Sequence, residues 1–160
     1  MDNKFQMQKT SKHPQSVCRL PDFPAIQPDQ VLPGLEKLLQ DYYSGIERWV
    51  EGGADVHWSL VESEIAWSDE LSRAWSPVSH LNSVADNEAL RKVYNAALEK
   101  LTEHGNWRQQ HAGIFEAYRS LKASPDFARL TPVQQRIIDL ELRDFHLAGV
   151  DLPEREQEED

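Results

Sequence analysis

The sequence contains a single cysteine and no long apolar run, and both absences narrow the class of protein. Cys18 has no second cysteine with which to form a disulfide, and a lack of disulfides is consistent with a reducing compartment. No apolar stretch approaches the roughly 20 residues that a membrane-spanning helix needs. Residues 1–14 also lack the apolar centre of a secretory signal. We therefore expect a cytoplasmic protein with no membrane partner.

Basic residues are scarce, because 17 Lys and Arg stand against 27 Asp and Glu, which gives a formal net charge of -10. A chain this negative repels phosphate backbones and anionic lipid surfaces, so we expect it to bind neither nucleic acid nor a membrane surface. The hydrophobic fraction of 39% is sufficient for a core, and 160 residues is an ordinary length for one domain. The composition predicts a single acidic, folded domain.

A complete catalytic or metal-binding motif is also missing. No two of the six histidines are four residues apart, so no His-Glu-x-x-His pattern places two zinc ligands on one face of a helix. The sequence has no Gly-x-Ser-x-Gly elbow, and Cys18 has only His13 nearby to activate it. We predict no catalytic residue and no metal ligand in this chain. The histidines, which we expect at surface or partly buried positions, are His13, His57, His80, His104, His111 and His146.

Apolar residues recur at three- and four-residue intervals over five segments, a spacing that is typical of amphipathic helices. The segments are about 28–51, 58–75, 87–103, 107–122 and 132–148. No segment shows the strict alternation of apolar and polar residues that indicates a strand. The predicted fold class is all-α, an antiparallel helical bundle of about five helices with an extended N-terminal strap.

The helical domain is predicted to lie between two polar tails. We divide the chain into a flexible N-terminal tail (1–19), the helical domain (20–153) and an acidic C-terminal tail (154–160). The strap is residues 20–26, where Pro21 and Pro24 favour an extended backbone at the residues before them. Its apolar residues, which we expect to hold the tail on the helices, are Leu20, Phe23 and Ile26.

Proline, glycine and capping residues predict where the helices begin and end. Thr131-Pro132-Val133-Gln134 is a capping box, in which a hydroxyl and a Gln satisfy free backbone groups at the start of the fifth helix. Asp86 or Asn87 is predicted to cap the third helix, and Gly105 to end it. Gly52-Gly53 and Gly149 are predicted to close the first and fifth helices, and residues 124–130 to form about one helical turn.

The second helix is predicted to have an apolar inner face. We place Ile65 on the inner face, and we interpret Glu62 and Glu64 as solvated carboxylates. Leu98 is placed on the inner face of the third helix. Four tryptophans are interpreted as core residues, with contact between one or two of them and a partner left open as the alternative. They are Trp49, Trp58, Trp67 and Trp75.

The segment Trp75-Ser76-Pro77-Val78-Ser79-His80-Leu81-Asn82-Ser83-Val84 resembles a segment near the N-terminus of the thimet oligopeptidase family of zinc metallopeptidases. Four further segments resemble the same family in the same order, namely 20–23, 26–31, 110–119 and 142–153. The resemblance runs from about Leu20 to Pro153 and so covers nearly the whole chain. The ordered series identifies the chain as similar to the N-terminal region of this family.

The resemblance implies that this is the N-terminal helical domain of such a peptidase, part of the wall of a channel that admits short peptides. In the family, zinc is bound much further along the chain by a His-Glu-x-x-His helix and a later Glu, and no residue here matches those ligands. Zinc is therefore implied for the full-length enzyme and not for this chain. The implied partners are short peptides and the catalytic portion of an oligopeptidase, in cis or in trans.

The sequence alone leaves open whether this chain has a role outside a complete peptidase. As a fragment or truncated product without the zinc site, the chain is expected to be inactive alone. It is alternatively a free-standing, non-catalytic module that binds peptides or proteins, with a former domain interface exposed as an apolar patch. The sequence does not separate that module from a degenerate product without a role.

Pro77 is predicted to end the second helix, so residues 76–83 are expected to form a loop. Structurally, Ser, Asn and Pro have local reasons to occupy turns, because their side chains or rings satisfy or fix the backbone there. Functionally, His80 and Asn82 are the candidate contacts to a peptide in the channel. We favour the structural interpretation of this segment and keep His80 and Asn82 as candidate site residues.

Overall fold

The computed structural model describes residues 23–51, 57–85 and 87–151. Five α-helices account for most of these residues, and no strand is present within the three ranges, so the predicted all-α helical bundle is confirmed. The helices are α1 (Pro28–Glu51), α2 (Trp58–Val84), α3 (Glu88–Gln109), α4 (Ala112–Ala123) and α5 (Pro132–Leu147). The predicted tails, Leu20 and the closure of α1 at Gly52-Gly53 lie outside the described residues.

Helix α1 lies at the centre of the bundle, where it contacts α2, α3 and α4, while α5 packs mainly on α4. Its buried residues follow the predicted spacing and include Leu35, Leu38, Tyr42 and Ile46. Trp49 belongs to the buried core, and the other three tryptophans of the predicted set pack against it. The interpretation of the tryptophans as core residues is therefore confirmed.

Several predicted helix ends are confirmed. Asn87 Oδ1 caps α3 by accepting a hydrogen bond from the backbone N–H of Leu90 (3.1 Å). At the start of α5, Thr131 Oγ1 accepts from the Gln134 N–H (3.3 Å) while Gln134 Oε1 accepts from the Thr131 N–H (2.8 Å), which completes the capping box. Gly149 follows α5 with a φ of 80°, a conformation that favours glycine.

Helix α2 does not end at Pro77, so the prediction of a loop at residues 76–83 was wrong. The helix continues through Pro77 to Val84. The ring removes one backbone hydrogen bond, but side chains on both sides of it pack into the bundle and hold the helical path. Val78 is buried, and the Trp75 ring stacks on Tyr94 of α3 with centroids 4.9 Å apart. Packing outweighs the local cost of the proline.

Helix α3 likewise continues past the glycine that was predicted to end it, and runs to Gln109. A glycine inside a helix costs about 1 kcal/mol relative to alanine, which a few buried contacts exceed. Those contacts come directly before and after Gly105, since His104 is buried and Arg108 reaches the interior. The fourth helix accordingly begins later than predicted, at Ala112 instead of Trp107.

The two short segments outside the long helices are single 3₁₀ turns. The one at Phe127–Arg129 confirms the predicted turn within residues 124–130. The other, at Phe23–Ala25, corrects the extended geometry predicted for that part of the strap, and residues 20–22 of the strap lie outside the described residues. Its proline occupies a position in the turn where no N–H is needed, and the Ile26 N–H donates to the Phe23 carbonyl (3.2 Å). Among the described helices, none has the length and apolarity needed to cross a bilayer.

Two residues predicted on inner faces point outward. Ile65 of α2 is 45% exposed and Leu98 of α3 is 42% exposed. The buried residues of α2 are instead Val61, Glu64, Leu71 and Val78. Neighbouring positions on an α-helix differ by about 100°, so burial of Glu64 turns Ile65 toward the edge of the face. A carboxylate thus occupies the position expected for an apolar side chain.

Candidate functional site

The most deeply buried charged group is the carboxylate of Glu64, which is 1% exposed. Two phenol hydroxyls donate hydrogen bonds to it from different helices. Tyr42 of α1 donates to Oε1 (2.9 Å) and Tyr118 of α4 donates to Oε2 (2.6 Å). Both tyrosines are themselves buried. Their hydroxyls therefore take the place of the water molecules that would hydrogen-bond to an exposed carboxylate.

Arg108 of α3 supplies the positive charge for this buried group. Its Nε donates to Glu64 Oε1 (2.6 Å), and its Nη2 donates to Glu141 Oε2 on α5 (2.8 Å). The guanidinium also lies against the Phe145 ring, with Cζ 5.3 Å from the centroid, in a cation–π contact. Together with the two tyrosines, these groups bring one side chain from each of the five helices into a single hydrogen-bonded set. We call this set the Glu64 network, comprising Tyr42, Glu64, Arg108, Tyr118 and Glu141.

The electrostatics of the Glu64 network keep the two tyrosine hydroxyls and the Arg108 guanidinium protonated. Burial and the neighbouring Glu64 carboxylate raise the pKa of Tyr42 and of Tyr118 far above its usual range, so both hydroxyls remain donors. Burial alone lowers the pKa of Arg108, but the carboxylates of Glu64 and Glu141 outweigh it and raise that pKa. The arginine is therefore always charged, and it neutralises the buried carboxylate.

The Glu64 network is suited to holding helices together. Two hydroxyls and a guanidinium engage both oxygens of the carboxylate, and solvent does not reach it. Acid–base catalysis needs a carboxyl group that a substrate can approach. The arrangement defines a structural site at the centre of the bundle.

The interpretation of Glu62 and Glu64 as two solvated carboxylates was therefore wrong for Glu64. Glu62 is solvated as predicted, and its Oε1 accepts a hydrogen bond from the Trp58 indole N–H (2.7 Å). The sequence did carry a signal for Glu64, because it lies three residues after Val61 and seven before Leu71, in register with the buried face. Its hydrogen-bond partners come from three other helices and gave no local signal.

A cluster of aromatic rings lies beside the Glu64 network, between α1 and α3. The His104 ring stands edge-on to Tyr42 with centroids 4.6 Å apart, and Tyr43 and Trp107 lie 5.5 Å and 6.2 Å away. His104 is buried, and its Nδ1 has no hydrogen-bond partner among the residues that the structure describes. Burial and the positive charge of Arg108 lower the pKa of His104, so its ring is neutral at pH 7.

His111 has a different role, as the capping residue of α4. Its Nδ1 accepts a hydrogen bond from the backbone N–H of Ile114 (3.2 Å), which places the ring proton on Nε2. Burial lowers the pKa of His111 as well. The imidazole thus satisfies one of the free N–H groups at the start of the helix, a task more often performed by Ser, Thr, Asp or Asn.

The other described histidines lie at the surface as predicted, whereas the burial of His104 goes beyond the expected partly buried position. His57 pairs with Asp126 (3.1 Å) and His146 with Asp151 (2.7 Å). No group of three or more His, Cys, Asp or Glu side chains in ranges 23–51, 57–85 and 87–151 is arranged to hold a metal ion.

The two candidate site residues lie near the C-terminal end of α2. His80 is exposed, and its ring lies 5.4 Å from that of Phe23 in the N-terminal 3₁₀ turn. Asn82 is half-buried, and its Oδ1 has no hydrogen-bond partner among the described residues. Positions two apart on a helix differ by about 200°, so the two side chains leave α2 in different directions. Their contact with a peptide stays a prediction.

The five-helix bundle, with the Glu64 network buried at its centre, places this chain in the class of all-α helical domains. Comparison with known proteins specifies the family. The family described as "Neurolysin/Thimet oligopeptidase, N-terminal domain" matches residues 34–157. The chain therefore belongs to the neurolysin/thimet oligopeptidase family and corresponds to its N-terminal domain. The family resemblance predicted from the sequence segments is confirmed.

Relatives in bacteria and plants share this region. Oligopeptidase A of Escherichia coli (strain K12) is 40% identical over 140 residues, which are 87% of this chain and 21% of that protein. Oligopeptidase A of Haemophilus influenzae is 40% identical over 143 residues, 89% of this chain and 21% of that protein. The probable cytosolic oligopeptidase A of Arabidopsis thaliana is 29% identical over 140 residues, 87% of this chain and 20% of that protein. The chain spans about a fifth of the length of these relatives.

Proposed function

We propose that this chain serves as the N-terminal, non-catalytic domain of an oligopeptidase A-like peptidase, where it forms part of the wall of a channel for short peptides. The observation that supports the proposal is the match to the N-terminal domain of the family together with 40% identity to bacterial oligopeptidases. Those relatives are oligopeptidases by name, and hydrolysis of short peptides is proposed here for the complete enzyme.

The Glu64 network supports a wall-forming role. A wall that limits the width of a channel must keep its shape, and cross-links among all five helices oppose independent movement of any one of them. Rigid packing also limits the entropy that is lost when a peptide binds against the wall. The chemistry is assigned to the remaining part of such an enzyme, with zinc there as the cofactor.

A domain exchange tests the proposal directly. The matched segment of Escherichia coli oligopeptidase A would be replaced by this chain, and hydrolysis of a quenched fluorescent peptide would be followed with and without a chelator. We expect the chimera to cleave the peptide and the isolated 160-residue chain to be inactive. A folded chimera without activity, or a chain that cleaves peptide alone, would contradict the proposal.

The free-standing binding module remains the second candidate function. It is favoured by the fact that all five members of the Glu64 network come from this chain, so the polar groups at the centre of the bundle need no partner protein. Isothermal titration of the isolated chain with short peptides distinguishes the two, because a binding module retains affinity outside the chimera. For either role we propose the cytosol as the compartment. The proposal follows the name of one Arabidopsis relative, which describes that protein as a probable cytosolic oligopeptidase A.

A further inference from the structure

Helix α5 carries apolar side chains on its outer face. Val133 is 70% exposed and Leu147 is 75% exposed, the largest values among the big apolar residues of the described chain. Leu140 lies midway between them and is half-buried. Residues seven apart fall on nearly the same side of an α-helix, so the three form one line along α5. We call this line the α5 stripe (Val133, Leu140 and Leu147).

The α5 stripe is distinct from the face that attaches α5 to the bundle. Ile138 and Phe145 are the buried residues of the helix, and α5 packs mainly on α4. Ile138 lies five positions after Val133, about 140° around the helix axis. A helix at the surface of a finished domain normally has one apolar face and one polar face. Helix α5 has apolar side chains on a second side as well, and the two at the ends of this line are largely exposed in the described structure.

A single exposed apolar residue is ordinary, whereas a line of them marks a contact surface. We infer that the α5 stripe is the docking surface for the part of the same oligopeptidase polypeptide that lies outside the matched segment. The inference rests on the proposed function. In the relatives, about four-fifths of the protein lies outside that segment, so each of them has ample protein to cover α5.

The size of the α5 stripe favours an occupant in the same polypeptide over a second copy of the chain. Helix α5 has 16 residues, so its outer face is roughly 24 Å long and about 10 Å wide. A stable complex between separate proteins needs about 800 Å² from each partner, well above the area of that face. A contact within one polypeptide does not pay the full cost of association, because the tether keeps the two surfaces at high effective concentration.

The charges beside the stripe indicate the chemistry of the occupant. Arg136 lies one turn after Val133, is exposed, and makes no ion pair with a described residue. Arg143, on the same side, pairs with Asp144 (2.7 Å). The surface that covers α5 is therefore expected to present an apolar strip with an acidic group placed to meet Arg136.

Amide hydrogen exchange on the chimera described above tests this docking. The exchange of the peptide that covers residues 132–147 would be compared between the chimera and the isolated 160-residue chain. We expect at least tenfold slower exchange in the chimera, because docking suppresses local opening of α5. In a chimera carrying Val133→Glu and Leu147→Lys, the protection should be lost. Equal exchange in chimera and isolated chain would overturn the inference.

The substitutions are chosen to leave α5 itself intact. Glu in the first turn and Lys in the last turn are compatible with the helix dipole, so the isolated double variant should unfold at the urea concentration of the wild type. Val84→Lys is the matched control, since Val84 is 67% exposed and ends α2, whereas α5 packs mainly on α4. The control chimera should keep the slow exchange of α5, and loss of protection there too would contradict a specific role of the stripe.

Two further measurements distinguish docking of α5 from the proposed function and from dimer formation. Peptidase activity of the wild-type chimera reports on the proposed function, whereas α5 exchange reports on docking even in an inactive chimera. Sedimentation of the isolated chain tests whether a second copy of the chain occupies the α5 stripe instead. A concentration-dependent dimer that Val133→Glu and Leu147→Lys abolish would assign the stripe to a second copy and overturn the inference.

Discussion

Arg108 and Glu64 are 44 positions apart in the sequence, yet Arg108 Nε lies 2.6 Å from Glu64 Oε1 in the interior of the bundle. The pair joins the N-terminal part of α2 to the last turn of α3, and through Glu141 it extends to α5. Buried ion pairs are costly to break, because removal of one partner leaves the other as an uncompensated charge. Glu64 and Glu62, two residues apart on α2, are therefore expected to contribute very differently to the stability of the bundle.

Replacement of Glu64 by Gln is expected to lower the free energy of unfolding by about 3 kcal/mol, since Arg108 loses its most buried partner and the amide cannot accept every donor. Glu62→Gln is the matched control, because Glu62 is exposed and an amide oxygen still accepts from the Trp58 indole. The control should change stability by less than about 0.5 kcal/mol. Urea denaturation followed by circular dichroism measures both, and equal midpoints would contradict the assigned role of Glu64.

Gly45→Ala is expected to destabilise the contact between α1 and α2. A Cβ at position 45 would lie 2.6 Å from Trp67 Cζ2 and 2.8 Å from Cζ3, closer than atoms approach without displacement. Such overpacking costs about 2 kcal/mol. Gly105→Ala in α3 meets nothing within 4 Å and should instead stabilise the chain by up to about 1 kcal/mol. An unchanged or higher urea midpoint for Gly45→Ala would show that Trp67 does not limit position 45.

Stability is expected to fall as the pH drops below 6.5. Burial lowers the pKa of folded His104 below its ordinary value, so the unfolded chain binds the proton more tightly. The contribution of the neutral ring is complete above pH 6.5 and decreases as the pH falls toward the folded pKa. The slope due to one histidine is at most about 1.4 kcal/mol per pH unit.

His104→Phe, which keeps a ring against Tyr42 but does not titrate, should flatten this pH dependence. Urea unfolding between pH 7.5 and 5 compares the two proteins. His111 remains in the variant, and its pKa is also lowered by burial, so part of the slope should persist. A variant with the full slope of the wild type would show that His104 is not the main titrating group.

The two candidate peptide contacts on α2 are each expected to tolerate substitution by alanine without loss of stability. His80 is exposed, so His80→Ala in the chimera should raise KM several-fold while the urea midpoint of the isolated chain stays unchanged. Asn82→Ala should leave stability unchanged or improve it, because the Asn82 Oδ1 has no hydrogen-bond partner among the described residues. An unchanged KM for His80→Ala, measured with several peptide lengths, would remove His80 from the candidate site.

The sequence predicted those features of the fold that depend on local chemistry. The start of α1 at Pro28, the Asn87 cap and the Thr131 capping box each involve residues within one turn of one another. The positive φ of Gly149 likewise depends on local chemistry, because it follows from the residue type at the end of α5. Neighbouring residues alone specify these interactions, so no knowledge of the packing of the bundle was needed.

The features that the sequence did not predict depend on contacts between distant helices. Pro77 and Gly105 have a local tendency to end helices, but the burial of Val78 and of His104 outweighs it. For Glu64 the missing information was greater, because its hydrogen-bond donors lie on α1, α3 and α4. A carboxylate on a helix is solvated by default, and only the assembled bundle provides the donors that make its burial favourable.

The position of Glu64 at the junction of five helices has a consequence for how the domain comes apart. A helix that frays from an apolar core loses contacts gradually, but a helix that leaves this junction exposes a charge or a hydroxyl to an interior that cannot solvate it. Partial opening is thereby penalised more than its apolar area alone implies. The bundle is expected to unfold in one all-or-none transition, with the slowest-exchanging amides of α1 to α4 sharing a common opening free energy.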